Sequence, residues 1–156
     1  MWNVDKFGAF TEGEGCFYYD MRPDSFICVF EIQQRNDDRI ALVELSEWLG
    51  FGDVMSKPSN RATMLRVRKR ADAMQLVEMF DSYDWVTKKF YDYMIWRMIP
   101  ELWRRTGASS VELYDVALRI REHLKGVKRY DVDREDYYRE ACKDLMNIKC
   151  LQLSLF

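Results

Sequence analysis

The chain has 156 residues, 48% of them apolar and 15% aromatic, enough for one globular domain whose core needs neither disulfides nor a structural metal. With 24 basic against 26 acidic residues and a pI near 5.5, the whole-molecule field does not attract nucleic acid, so any such binding has to come from local patches. The opening MWNVDKFG lacks a signal-peptide pattern and no apolar run nears the roughly 18 to 20 residues of a membrane span, so a soluble, intracellular protein with no membrane partner is expected.

In chain order, Asn3 is placed to cap a short helix over 4–14, and two strands, 16–21 and 26–33, follow around the turn residues RPDS. Asn36 is read as the cap of a helix over 37–49, where Ile40, Leu42, Val43, Leu45 and Leu49 form an apolar face and Gly50 stands past the end. A second strand pair is predicted over 52–56 and 63–70 around the loop KPSNRA, then a helix over 72–83 carrying Met74, Leu76, Val77 and Phe80. The order to this point is αββαββα. The remainder reads as helical: 88 to about 105, a helix opening at SSVE with the capping-box spacing of Ser109 and Glu112, and another over 133–147. Residues 1–105 are thus expected to form an α+β core, and 106–156 a helical extension packed on the same domain.

Cys16, Cys28, Cys142 and Cys150 are scattered without a CxxC, and His123 is the single histidine, so reduced thiols are expected rather than a zinc site or a disulfide framework.

The stretch FGAFTEGEGCFYY, residues 7–19, places two acids among three glycines where a helix passes straight into a strand. Gly8 and Ala9 strip bulk from the helix and invite another helix close. Gly13 and Gly15 flank Glu14, so its carboxylate stands at a helix end beside carbonyls that lack intrahelical partners, a donor set suited to a hard cation. Glu12 lies two residues away, about 200° around the helix, and is read as structural.

Alternation predicts a cationic sheet face. In MLRVRKR, Leu65 and Val67 point one way and Arg66, Arg68 and Arg70 the other, and Lys57, Arg61 and Lys69 add to a stretch of 57–70 without an acid. On the first hairpin the same phase turns Tyr18, Asp20, Arg22, Ser25, Ile27, Val29 and Glu31 away from a core of Phe17, Tyr19, Met21, Phe26, Cys28, Phe30 and Ile32. Such a ribbon fits a DNA major groove, where arginine reads guanine bidentately.

The nine residues Phe7 to Gly15, the αββαββα order and the later WVTKKFYDYMIW together resemble the LAGLIDADG homing endonuclease family. The resemblance covers roughly residues 4–103, with the small pair in the order Gly-Ala where the common motif has Ala-Gly. It implies an α+β fold with a saddle-like antiparallel sheet plus additional C-terminal helices. It also implies that Glu14 carries the metal-binding carboxylate with the Gly13 carbonyl beside it, that Gln34 orders water near the metal, and that Lys88, with Lys89 adjacent, polarises water or steadies the phosphate. Mg²⁺ or another divalent cation is the implied cofactor. The implied DNA-binding residues are Tyr18, Asp20, Arg22, Ser25, Glu31, Arg35, Lys57, Arg61, Arg66, Arg68 and Arg70. One chain brings one Glu14, so cutting both strands implies a homodimer on a roughly palindromic site, joined through Phe7, Gly8, Ala9 and Phe10. The activity implied is sequence-specific cleavage of double-stranded DNA by an intron- or intein-associated endonuclease. The alternative is a non-catalytic binder on the same scaffold, an intron-RNA maturase or a DNA-binding regulator.

Overall fold

The computed structural model describes residues 1–57, 59 and 61–149, so Cys150 and part of the expected loop after residue 57 lie outside the described residues. Its elements run α1 (Val4–Glu14), β1 (Gly15–Met21), β2 (Phe26–Arg35), α2 (Arg39–Leu49), β3 (Asp53–Lys57), β4 (Ala62–Val67), α3 (Arg70–Asp81), α4 (Lys89–Trp96), α5 (Met98–Thr106), α6 (Tyr114–Val127) and α7 (Arg134–Leu145). The fold is α+β, with a four-stranded antiparallel sheet in the order β1-β2-β4-β3. No helix among the described residues is long and apolar enough to cross a membrane.

The chain divides into two compact units. The first holds Met1–Phe17 and Val29–Val86; the second holds Tyr18–Cys28 and the segment from Thr87 onward.

In the first unit, α1 starts where the Asn3 side chain accepts the Lys6 backbone N–H at 2.8 Å, and it passes at Gly15 into extended backbone. Phe7 sits fully buried in an aromatic cluster, stacked on Phe80 at 4.9 Å and edge-on to Phe30 and Trp48. Leu42, Leu45 and Leu49 of α2 join this core, whereas Ile40, expected on the same face, is 66% exposed. Ile40 lies with Glu44 and Glu47, four and seven residues on, on the exposed side of α2. Asn36 does not cap it, because residues Asn36–Asp38 form a 3₁₀ turn and the Asn36 side chain instead accepts from the Thr63 hydroxyl at 2.8 Å. Helix α2 ends as expected, with Gly50 at φ 77°, a left-handed conformation that glycine adopts without steric cost.

Two strand readings need correction. Strand β4 stops at Val67 and Arg70 already opens α3, so the alternation that placed Arg68 and Arg70 on one sheet face with Arg66 ends two residues before Lys69. Val29, expected to point outward, is 1% exposed and belongs to the packed interior.

In the second unit, the helix expected over 88–105 is two helices, α4 and α5, meeting at Arg97. Pro100 is the cause. It has no N–H to return to the carbonyl of Trp96, four residues back, and that carbonyl instead accepts the Tyr19 hydroxyl at 2.7 Å. Burial of Tyr19 holds its phenol well above the usual range, and so un-ionised as a donor. Phe26 stacks on Trp103 with planes 6° apart, and Tyr93, Trp96, Ile99, Leu102, Ile120, Leu124 and Val127 complete the interior. Ser109 and Glu112 do form the reciprocal capping box, but in a turn that precedes α6, which starts at Tyr114. Asp133 caps α7 by accepting the Glu135 and Asp136 N–H groups.

Candidate functional site

Helix α1 ends in Glu14, whose side chain is exposed. The last four carbonyls of any α-helix lack intrahelical partners; here that of Thr11 accepts the Gly15 N–H. Glu14 lines a pocket of about 430 Å³ with Gln33, Gln34, Arg35, Arg61 and Ala62. Two sequence-predicted catalytic residues, Glu14 and Gln34, therefore share one pocket with the predicted DNA-binding Arg35 and Arg61. Gln33, also on its wall, was not singled out by sequence; it follows Glu31 in the outward phase of β2.

The pocket's far wall is held by unusual backbone. Arg61 is at φ 52°, in the left-handed region, and its carbonyl accepts the Asn36 N–H at 3.0 Å, which continues the β2 to β4 pairing one residue past Arg35 and Ala62. Glu12 points elsewhere. Its Oε1 accepts the Tyr83 hydroxyl at 2.7 Å and the Val86 N–H at 2.8 Å, so it fastens α1 to the segment after α3. Desolvation and the Glu12 carboxylate together push the Tyr83 phenol up to about 12, which keeps it a donor.

No cluster of three or more His, Cys, Asp or Glu side chains is present among the described residues. Glu14 with neighbouring helix-end carbonyls offers only oxygens, and that chemistry fits Mg²⁺, which is commonly held by one or two carboxylates with water and substrate phosphate supplying the rest.

Strand register defines the sheet face that carries Glu31, Gln33 and Arg35, with Met64 and Ala62 buried on its middle strand. Glu31 lies opposite Arg66, and Arg66 opposite Asp53; Gln33 opposite Met64, and Met64 opposite Met55; Arg35 opposite Ala62, and Ala62 opposite Lys57. Residues directly opposite in a sheet share a face, so this grid is one surface. It carries both signs. The Arg66 guanidinium bonds Glu31 at 2.8 to 2.9 Å, and Lys57 reaches Gln33 at 3.5 Å and Glu31 at 3.9 Å. Asp53 was not foreseen, because its place opposite Arg66 depends on the β3 to β4 register. Arg68 is exposed beyond the strand end, and Arg70, at the start of α3, is half-buried.

Of the expected interface set on α1, Phe7 is buried in its own chain's core and Gly8 is covered by the Tyr83 ring. Ala9 is exposed and Phe10 half-buried, in contact with the Trp2 ring at 5.5 Å.

The remaining predicted residues belong to the second unit. Asp20 and Arg22 form an exposed ion pair at 2.9 Å, the Ser25 carbonyl accepts the Arg22 N–H, and Tyr18 is half-buried. Lys88 is exposed and its ammonium is bonded to Asp133, which raises the lysine's pKa and lowers the carboxyl's.

Residues 8–99 match the family described as LAGLIDADG endonuclease. Over 135 residues the chain is 25% identical to a protein of Schizosaccharomyces pombe named "Probable intron-encoded endonuclease Cox1-I1b"; the alignment covers 83% of this chain, which spans 35% of that relative's length. The solved homing endonuclease I-TnaI has the same fold at TM-score 0.68 and 24% identity, with 92% of this chain and 98% of that one covered. A structure of I-SmaMI bound to uncleaved DNA target in the presence of calcium ions matches at TM-score 0.69 and 19% identity, covering 90% of this chain and 49% of that one.

Proposed function

Because the chain belongs to the LAGLIDADG endonuclease family, we propose that it is a sequence-specific double-strand DNA endonuclease of the intron-encoded type, working as a homodimer with a divalent cation. The observation that carries this reading is the position of Glu14: an exposed carboxylate at the C-terminal end of α1, opening on a pocket shared with Gln34, Arg35 and Arg61.

Glu14 and the Gly13 carbonyl would hold the cation, Mg²⁺ or another divalent ion. When bound, it supplies charge stabilisation for the attacking and leaving oxygens of phosphodiester hydrolysis. Gln34 would orient water at the pocket wall, and Arg35 and Arg61 would meet DNA phosphates there. We assign Lys88 to steadying phosphate charge. In the free chain its ammonium is on Asp133, so that role requires phosphate to take the carboxylate's place.

Chain coverage supports the dimer. The same fold accounts for 98% of one related structure and 49% of another, as expected where one working unit needs two such folds and some chains carry both.

The test is Glu14→Gln, which keeps the side chain's shape and removes its charge. The variant is expected to bind the target DNA and to lose Mg²⁺-dependent double-strand cleavage. Cutting at the wild-type rate would overturn the active-site assignment. Binding of DNA or intron RNA by the wild-type protein, with no cleavage at any divalent cation concentration, would favour the non-catalytic binder instead.

A further inference from the structure

In the second unit most cations of known geometry are tied to carboxylates. Arg119 bonds Asp144, Arg129 bonds Asp131, Arg134 bonds Asp92, Arg139 bonds Glu135, and Lys143 bonds Glu140. Three more cations stand at the C-terminal end of α6. Arg121, Lys125 and Lys128 follow at spacings of four and three residues, which places them on one helix face. They line a pocket of about 180 Å³ with Leu124, Tyr18 and Tyr19. Consecutive strand residues point to opposite faces, so a pocket lined by both Tyr18 and Tyr19 lies at the edge of the strand, and β1 is an edge strand of the sheet. Two acids stand beside the stripe: Glu122 lies 3.5 Å from Arg121, and Asp92, buried against Arg134, also feels the charge of Lys128. Lys125 is exposed and pairs with no carboxylate among the described residues.

We propose that this stripe is a clamp for the sugar-phosphate backbone of duplex DNA passing the β1 edge. From Arg121 to Lys128 the helix rises about 10 Å at 1.5 Å per residue. That exceeds a single phosphate and matches about three backbone charges at one per 3.4 Å of each strand. Lysine ammonium groups are common phosphate donors, and an arginine fork grips two phosphate oxygens together. Leu124 closes the floor against water. The clamp carries no base-reading geometry, so its contribution is to affinity and to registration of the duplex, independent of sequence.

This inference rests on the reading that the chain binds DNA, and the experiment separates the two. Binding of a mixed-sequence duplex of about 40 base pairs is measured across a salt series for the wild type, the triple variant Arg121→Ala/Lys125→Ala/Lys128→Ala, the single variant Lys125→Glu, and Lys143→Ala as a control cation already held by Glu140. The triple variant is expected to lose at least about tenfold in affinity, with its salt slope shallower by about 2.7 if three contacts vanish at 0.9 each, while the control stays within about twofold of wild type. A triple variant with wild-type affinity and slope overturns the clamp and leaves DNA binding intact. Should the triple variant not fold, the exposed single change Lys125→Glu decides: weaker binding supports the clamp, unchanged binding overturns it. A wild-type protein that binds no duplex at any salt concentration overturns both readings.

Discussion

The ring of Tyr83 lies directly over the backbone of Gly8: a Cβ built on that glycine would meet three ring carbons at 2.3 to 2.5 Å. The bare patch on α1 is thus filled from within the chain, and the Tyr83 hydroxyl, bonded to Glu12 one helical turn along, locks the ring in place. Gly13, by contrast, has no heavy atom within 4 Å of its Cβ position and is exposed. Gly8→Leu is expected to unseat Tyr83 and to destabilise the fold by about 1 to 3 kcal/mol, the usual range for overpacking. Gly13→Ala should leave the isolated chain as stable or up to about 1 kcal/mol more so, since alanine favours helix over glycine. If the dimer forms by close approach of two α1 helices along Ala9 and Gly13, Gly13→Leu weakens it. Thermal unfolding and sedimentation on DNA read the two effects apart. A Gly8→Leu protein with wild-type stability, or a Gly13→Leu protein that dimerises as the wild type does, would contradict this division.

Arg66 and Arg68, read in the sequence as equivalent, stand in different surroundings. Arg66 is held by Glu31 on one face of the sheet, whereas Arg68 lies free of the strand in solvent. An arginine whose fork is pre-aimed is suited to reading a base, and a mobile one to phosphate. Arg66→Ala is expected to cost about 1 to 3 kcal/mol of binding and to relax preference at one base pair, and Arg68→Ala to weaken all sequences alike with a shallower salt slope. Glu31→Gln should alter preference at the same position as Arg66→Ala, and the double change should be non-additive. Additive effects at different base pairs would separate the two residues.

How far the sequence could be read follows from how local each determinant is. Helix α1 has its expected bounds because Asn3 and the passage through Gly13, Glu14 and Gly15 are local signals, and β1 shows the expected alternation because each residue's phase is set by its neighbour. The start of α3 at Arg70 was hidden: its cap residue, Lys69, makes no side-chain capping bond, so nothing marked the end of the arginine alternation. The break at Arg97 did carry a signal, Pro100, which the apolar pattern on both sides concealed. Gly8 under Tyr83, Lys88 on Asp133 and Asp53 opposite Arg66 depend on residues remote in the chain or on strand register, and spacing alone does not reveal them.

The bond from Tyr19 to the Trp96 carbonyl exists because Pro100 supplies no N–H there. Tyr19→Phe removes the donor from a buried carbonyl, and the expected loss is about 1 to 3 kcal/mol. In a Pro100→Ala background the new N–H competes for the same carbonyl, so Tyr19→Phe should cost less. A double-mutant cycle in denaturant measures the coupling. Equal costs in both backgrounds would show that the proline does not set the tyrosine's role.

Asp144 joins α7 to α6 by accepting from Arg119 at 3.0 Å through Nε and from His123 at 2.7 Å. The Arg119 and His123 hydrogen bonds hold its carboxyl at about 2, below the unfolded value of about 3.9. The folded-state pKa is depressed, so the contribution to stability is fully present above about pH 4 and is lost as the pH falls toward 2. The carboxylate is partly exposed, and solvent screening keeps the contribution modest. Asp144→Asn is therefore expected to melt below the wild type at neutral pH, with the gap constant down to about pH 4 and narrowing below it. Differential scanning calorimetry of both proteins between pH 7 and 3 measures that gap, and a difference that stays constant through the acid range would place the stabilising charge elsewhere.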